Sequence, residues 1–120
     1  MRQNLKERTK YFAVACWQFR TGLSEFKELD PWARQLIRCS SSVGANYRAA
    51  LRAKSTADFI NKLKIAEEET DESIYWLELI QEVQGTGTKE IIQLLNEANE
   101  LLAIIVTSIK TARKKKANNV

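Results

Sequence analysis

A chain of 120 residues is one domain by length and long enough to bury a sizeable core. Its 44% hydrophobic and 28% charged residues exclude a disordered polymer. The net charge is +4, but Lys110, Arg113, Lys114, Lys115 and Lys116 supply five positive charges, and without them the remainder sums to −1. The basic character is therefore expected at the C-terminal end, with 113–120 a basic, frayed tail on a single domain spanning 1–120.

One proline and four glycines leave little turn chemistry, which favours long helices over a sandwich or barrel. Cys16 and Cys39 fall inside apolar helical patterns with no CxxC spacing, so they read as buried thiols of a reducing compartment. A disulfide between them is the less favoured alternative. The polar stretch Met1–Lys10 lacks the apolar region of an export signal, and the longest strictly apolar run is Leu101–Val106, too short to span a bilayer. A cytoplasmic location is the expectation.

The first helix is expected from about Gln3 to Thr21, with Leu5, Phe12, Cys16, Phe19 and Leu23 on one face and Gly22 as its stop. A loop of about nine residues then turns the chain back. Asp30-Pro31 predicts a start for the second helix, Asp30 as the N-cap and proline in the first turn. That helix is expected to reach about Ala53, burying Leu36, Cys39, Ser40, Val43, Tyr47, Ala50 and Leu51. Its middle is rich in small residues around Gly44. Glycine there costs about 1 kcal/mol against alanine, a cost that close approach of a neighbouring helix would offset.

Ser55-Thr56-Ala57-Asp58 resembles a capping box and opens a third helix to about Gln84, with the stripe Phe59, Leu63, Ala66, Thr70, Ser73, Ile74, Leu77 and Ile80. Gly85-Thr86-Gly87-Thr88 is a turn whose threonine can cap a fourth helix, from about Lys89 to Arg113. There Ile91, Leu94, Leu95, Ala98, Leu101, Leu102, Ile105 and Ile109 form a seam that Ile92, Ile104 and Val106 widen beyond one face. A helix apolar over more than one face has to be covered on more than one side, which predicts a subunit interface. Short connections after the second and third helices predict an all-α fold, an antiparallel up-down four-helix bundle.

Catalytic chemistry finds little footing. A di-iron bundle needs Glu-x-x-His on two helices, and the chain has no histidine. The same absence removes the commonest general base and any Ser-His or Cys-His dyad. A zinc site would start from only two cysteines on different helices, and Gly85-x-Gly87 lacks the lysine of a phosphate loop. No enzymatic activity, cofactor, metal or small-molecule substrate is expected.

The polar centre is the other feature. Arg38 and Asn46 on the second helix face Glu69 and Glu72 on the third if the two are antiparallel neighbours, and a partly buried Glu69 would need a partner from that pair. One reading is a structural network that fixes helix register; the other is a recognition pocket. Tyr75 and Trp76 follow it, an aromatic pair that reads as core or interface before it reads as a platform for bases.

These residues carry a resemblance. The run Arg38-Cys39-Ser40-Ser41-Ser42-Val43-Gly44-Ala45-Asn46-Tyr47, then Asp58-Phe59-Ile60-x-Lys62-Leu63-Lys64-Ile65-Ala66, then Glu69-x-x-Glu72-x-x-x-Trp76-Leu77, resembles the four-helix-bundle proteins encoded in intervening sequences of bacterial 23S rRNA genes. It is similar also to the accessory variability protein of diversity-generating retroelements. The resemblance implies a ring-like homo-oligomer, a pentamer, without enzymatic activity; the retroelement relatives are basic scaffolds that bind a reverse transcriptase and nucleic acid. Asn46, Glu69, Glu72 and Trp76 stand at the family's characteristic positions, whereas Ala49 stands where an acidic residue is usual.

The expected function is thus a homo-oligomeric scaffold that associates with RNA or a ribonucleoprotein through Lys110, Arg113, Lys114, Lys115 and Lys116. The alternative is a protein–protein adaptor, for example for a reverse transcriptase, with no direct nucleic-acid role. A terminal basic run can also be no more than a solvated end.

Overall fold

The computed structural model describes residues 4–23, 25–84 and 88–118. Four helices follow one another: α1 (Leu5–Thr21), α2 (Asp30–Leu51), α3 (Thr56–Gln84) and α4 (Lys89–Asn118), with a single 3-10 turn at Lys27–Leu29 before α2. They pack α1 on α2, α2 on α3, α3 on α4 and α4 back on α1. Side-chain pairs run in opposite directions along α1 and α2 and along α1 and α4. Thr9 meets Gly44 while Arg20 meets Asp30; Arg8 meets Glu97 while Gln18 lies near Glu90. The result is an antiparallel up-down bundle 55 Å long and about 25 Å across.

The caps explain where the helices begin. Asn4 Oδ1 accepts from Glu7 N–H (2.8 Å), so α1 starts at Leu5; the expected start at Gln3 lies outside the described residues. Ser55 Oγ accepts from Asp58 N–H (3.0 Å), and the Asp58 carboxylate accepts in return from Lys54 N–H (3.4 Å). Thr88 Oγ1 caps α4 through Ile91 N–H (3.3 Å). Asp30 is a correction: the N-cap of α2 is Leu29, with no side-chain cap. The Asp30 carboxylate is drawn instead to Arg20 and Arg34, each at 2.9 Å, and two guanidiniums outcompete neutral amide donors. The Gly85–Gly87 turn lies outside the described residues.

The core follows the predicted stripes. Phe12, Cys16, Phe19 and Leu23 of the α1 segment are buried, as are Leu63, Ala66, Leu77 and Ile80 of α3 and Ile91, Leu94, Ala98, Leu101, Ile105 and Ile109 of α4. Each fully buried Leu or Ile contributes about 1.5–3 kcal/mol relative to exposure. Gly44 does permit a close approach: a Cβ there would stand 3.1 Å from Thr9 Oγ1, on a threonine fully buried and tied to Lys6 O. Two expectations fail at the edges. Leu51, at the end of α2, is 53% exposed where it lines an open groove, while Ile60, which the expected stripe did not include, is buried.

By length and composition α4 could also cross a bilayer. In the fold its apolar seam is the bundle core, and its central carboxylates Glu97 and Glu100 lie against Arg8. The helix runs past the expected end at Arg113, so residues 113–118 continue α4 with every side chain exposed.

Candidate functional site

The polar centre forms as a compact ion cluster between α2 and α3. Arg38 Nη2 donates to Glu72 Oε2 (2.7 Å) and Nη1 to Glu69 Oε2 (3.4 Å), while Gln35 Oε1 accepts from Nε (3.0 Å). Beneath them Ser73 Oγ meets Cys39 Sγ at 3.2 Å, joining the same two helices. Asn46 is not part of the cluster. It sits eight residues beyond Arg38, about 12 Å along the axis, and its side-chain amide donates to Ser42 O and Oγ. Trp76 packs half-buried against the core, edge-on to the exposed Tyr75 with ring centroids 5.4 Å apart.

The two carboxyls shift in opposite directions. The Arg38 hydrogen bond holds Glu72 below the usual carboxylate range against the opposing effect of burial. The buried Trp76 Nε1–H itself completes no hydrogen bond. Glu69 is pushed up by burial, which outweighs the attraction of Arg38, and by the proximity of Glu72. Burial also raises the thiols, Cys16 to about 12 and Cys39 to about 11, so both free cysteines stay protonated at neutral pH.

Cys39, Glu69 and Glu72 place one thiol and two carboxylate oxygens within 4.8 Å of one another, the one metal-capable donor set among the described residues. The set suits a metal poorly. Arg38 already supplies the neutralising cation at both carboxylates, and a thiol ligand would first have to lose a proton held by burial.

The second assembly is electrostatic. Lys110, Arg113, Lys114, Lys115 and Lys116 are all exposed on the last turns of α4. Antiparallel packing sets these turns beside the α2–α3 junction, where Ala57, Ile60 and Asn61 share a cleft with Arg113 and Lys116. The junction brings Arg48, Arg52, Lys54, Lys62 and Lys64, none of which the sequence reading named as a nucleic-acid-binding residue. Together the junction from Arg48 to Lys64 and the last turns of α4 carry ten cations and one carboxylate, Asp58, which is engaged in its own cap. None of the ten enters an ion pair among the described residues; the pairs there belong to Arg8, Arg20, Arg34 and Arg38. Farther along the bundle, residues 71–100 carry seven carboxylates against Lys89 alone. The signal was present as a basic segment from Arg48 to Lys64, but only antiparallel pairing joins it to the C-terminal run.

At the same end a groove of about 910 Å³ opens between the junction and α4, floored by Leu51, Phe59 and Ile104 with Lys54 and Lys115 among its lining. Elsewhere Tyr11, Val14 and Trp17 leave an apolar strip on α1, 52%, 45% and 56% exposed.

Comparison with known proteins agrees with this architecture. A crystal structure of a protein of unknown function from the S23 ribosomal protein family of Bacteroides thetaiotaomicron is 33% identical, with a TM-score of 0.82 over 89% of this chain and 99% of that one. No match is found among curated proteins. The profile of the 23S rRNA-intervening sequence protein family matches residues 3–107. This chain belongs to the 23S rRNA-intervening sequence protein family.

Proposed function

We propose that this protein is a non-enzymatic homo-oligomeric scaffold that holds RNA, or a ribonucleoprotein, on the basic end of its bundle. The observation that carries the reading is the concentration of ten cations against one carboxylate on the α2–α3 junction and the last turns of α4, the cations unpaired among the described residues. Such a field attracts polyanions from a distance and gains further by releasing their counterions. The family's name and the ribosomal-protein family of the solved relative fit an RNA setting. Oligomerisation, with the pentamer as the expected state, is supported by the exposed Tyr11, Val14 and Trp17 on α1 and by Ile92 on α4. A ring would repeat the basic end in every subunit. The protonated, buried thiols accord with a cytoplasmic setting.

The α1 strip also favours a second reading, an adaptor that docks a nucleic-acid enzyme such as a reverse transcriptase without touching nucleic acid. Fluorescence anisotropy with labelled RNA across a salt series separates the two. The scaffold predicts affinity that falls steeply as salt rises; absence of binding at low salt leaves the adaptor.

A further inference from the structure

The groove at the basic end joins two features that free phosphate recognition does not require together. Its floor is apolar: Leu51 is 53% and Ile104 37% exposed, and Phe59 lines it from α3. Its surroundings are cationic, with Lys54 and Lys115 in the lining and the rest of the ten-cation end around them. The N-terminus of the 29-residue α3 enters the same groove through Thr56 and adds its partial positive charge. A duplex would meet the cations with its phosphates but keep its bases stacked inside, leaving the floor uncovered. An unpaired strand satisfies both, its phosphates on the lysines and its bases on Phe59, Leu51 and Ile104. A volume of about 910 Å³ is at the upper end of the roughly 300–1,000 Å³ that enclose small ligands, ample for bases laid along the cleft.

We propose that this groove binds unpaired nucleotides, so that the protein prefers single-stranded RNA to duplex. The inference rests on the RNA-scaffold reading and narrows its ligand. Charge complementarity selects this occupant: a lining whose only charged residues are the lysines Lys54 and Lys115, over an apolar floor, matches a strand that is anionic at every residue and apolar on its base faces.

The test measures anisotropy of a fluorescein-labelled oligouridylate and of an RNA duplex of equal length, with native mass recorded on the same samples. The full chain is compared with Leu51→Ser and Ile104→Gln, which alter exposed side chains, and with Phe59→Ala. The expected result is tighter binding of oligouridylate than of duplex. Each floor variant should weaken the oligouridylate about tenfold while leaving the duplex and the native mass unchanged. Equal binding of both RNAs, insensitive to the floor variants, would overturn the groove assignment and leave the scaffold standing. Dissociation of the oligomer in Leu51→Ser and Ile104→Gln with RNA binding intact would overturn it too, making the groove a subunit contact. Failure of both RNAs to bind would remove the scaffold reading itself.

Discussion

Glu69 and Glu72 stand one turn apart on α3 and share Arg38, yet burial governs one and the ion pair the other. For Glu72, whose carboxyl is lower when folded, the stabilisation is present above the ordinary carboxylate range and is lost as pH falls through the depressed value. Glu69 has the opposite sign. Its contribution is full below the ordinary range and disappears as pH rises through its raised value, so at neutral pH its ionised form is a liability. Thermal denaturation at neutral pH should find Glu72→Gln less stable by about 0.5–1 kcal/mol, a modest amount because the pair is partly solvated. Glu69→Gln should be unchanged or more stable. On acidification through the depressed value, the Glu72→Gln deficit should close. The pairing across α2 and α3 was legible from charge and register alone; the opposite shifts were not, because they depend on a difference in burial between two residues of one helix. Asn46 was misread for a related reason. Its type suited the cluster, but two further turns of helix put it out of reach, and Ser42 was nearer.

At the scale of the elements, spacing located the helices, and the local chemistry of Ser55, Asp58 and Thr88 located two of their starts. Asp30 shows the limit of such reasoning, since a capping residue is also a carboxylate and the nearest guanidiniums claimed it. The basic end was only half legible. Lys110–Lys116 form a visible run, whereas Arg48, Arg52, Lys54, Lys62 and Lys64 are dispersed through a segment whose neighbour along the chain is acidic. On the scaffold reading, two elements of equal charge should make an equal contribution to RNA binding. Converting Arg52, Lys54, Lys62 and Lys64 to glutamine should weaken labelled RNA as much as converting Arg113, Lys114, Lys115 and Lys116. Each set should reduce the slope of log affinity against log salt by up to about 3, at about 0.7 per phosphate contact on a single strand. Anisotropy across a salt series reads both. An effect confined to the C-terminal set would show that the tail acts alone.

Over the whole molecule, antiparallel topology turns a modest net charge of +4 into a bundle with a cationic end and a long acidic stretch. On the scaffold reading that segregation would orient the protein on a polyanion, since the carboxylates of residues 71–100 would repel the phosphates that the far end attracts. It leaves the α1 strip and the outer face of α4 free of that task and available for contacts between copies. The proposed assembly would multiply the cationic surface, whereas a monomer would offer one such end only. The most direct test is native mass determination of the purified protein at low and moderate salt, before and after nuclease. The predicted result is a discrete oligomer that carries nucleic acid at low salt and sheds it, without dissociating, as salt rises or nuclease acts. A monomer, or a clean oligomer free of nucleic acid under every condition, would contradict it.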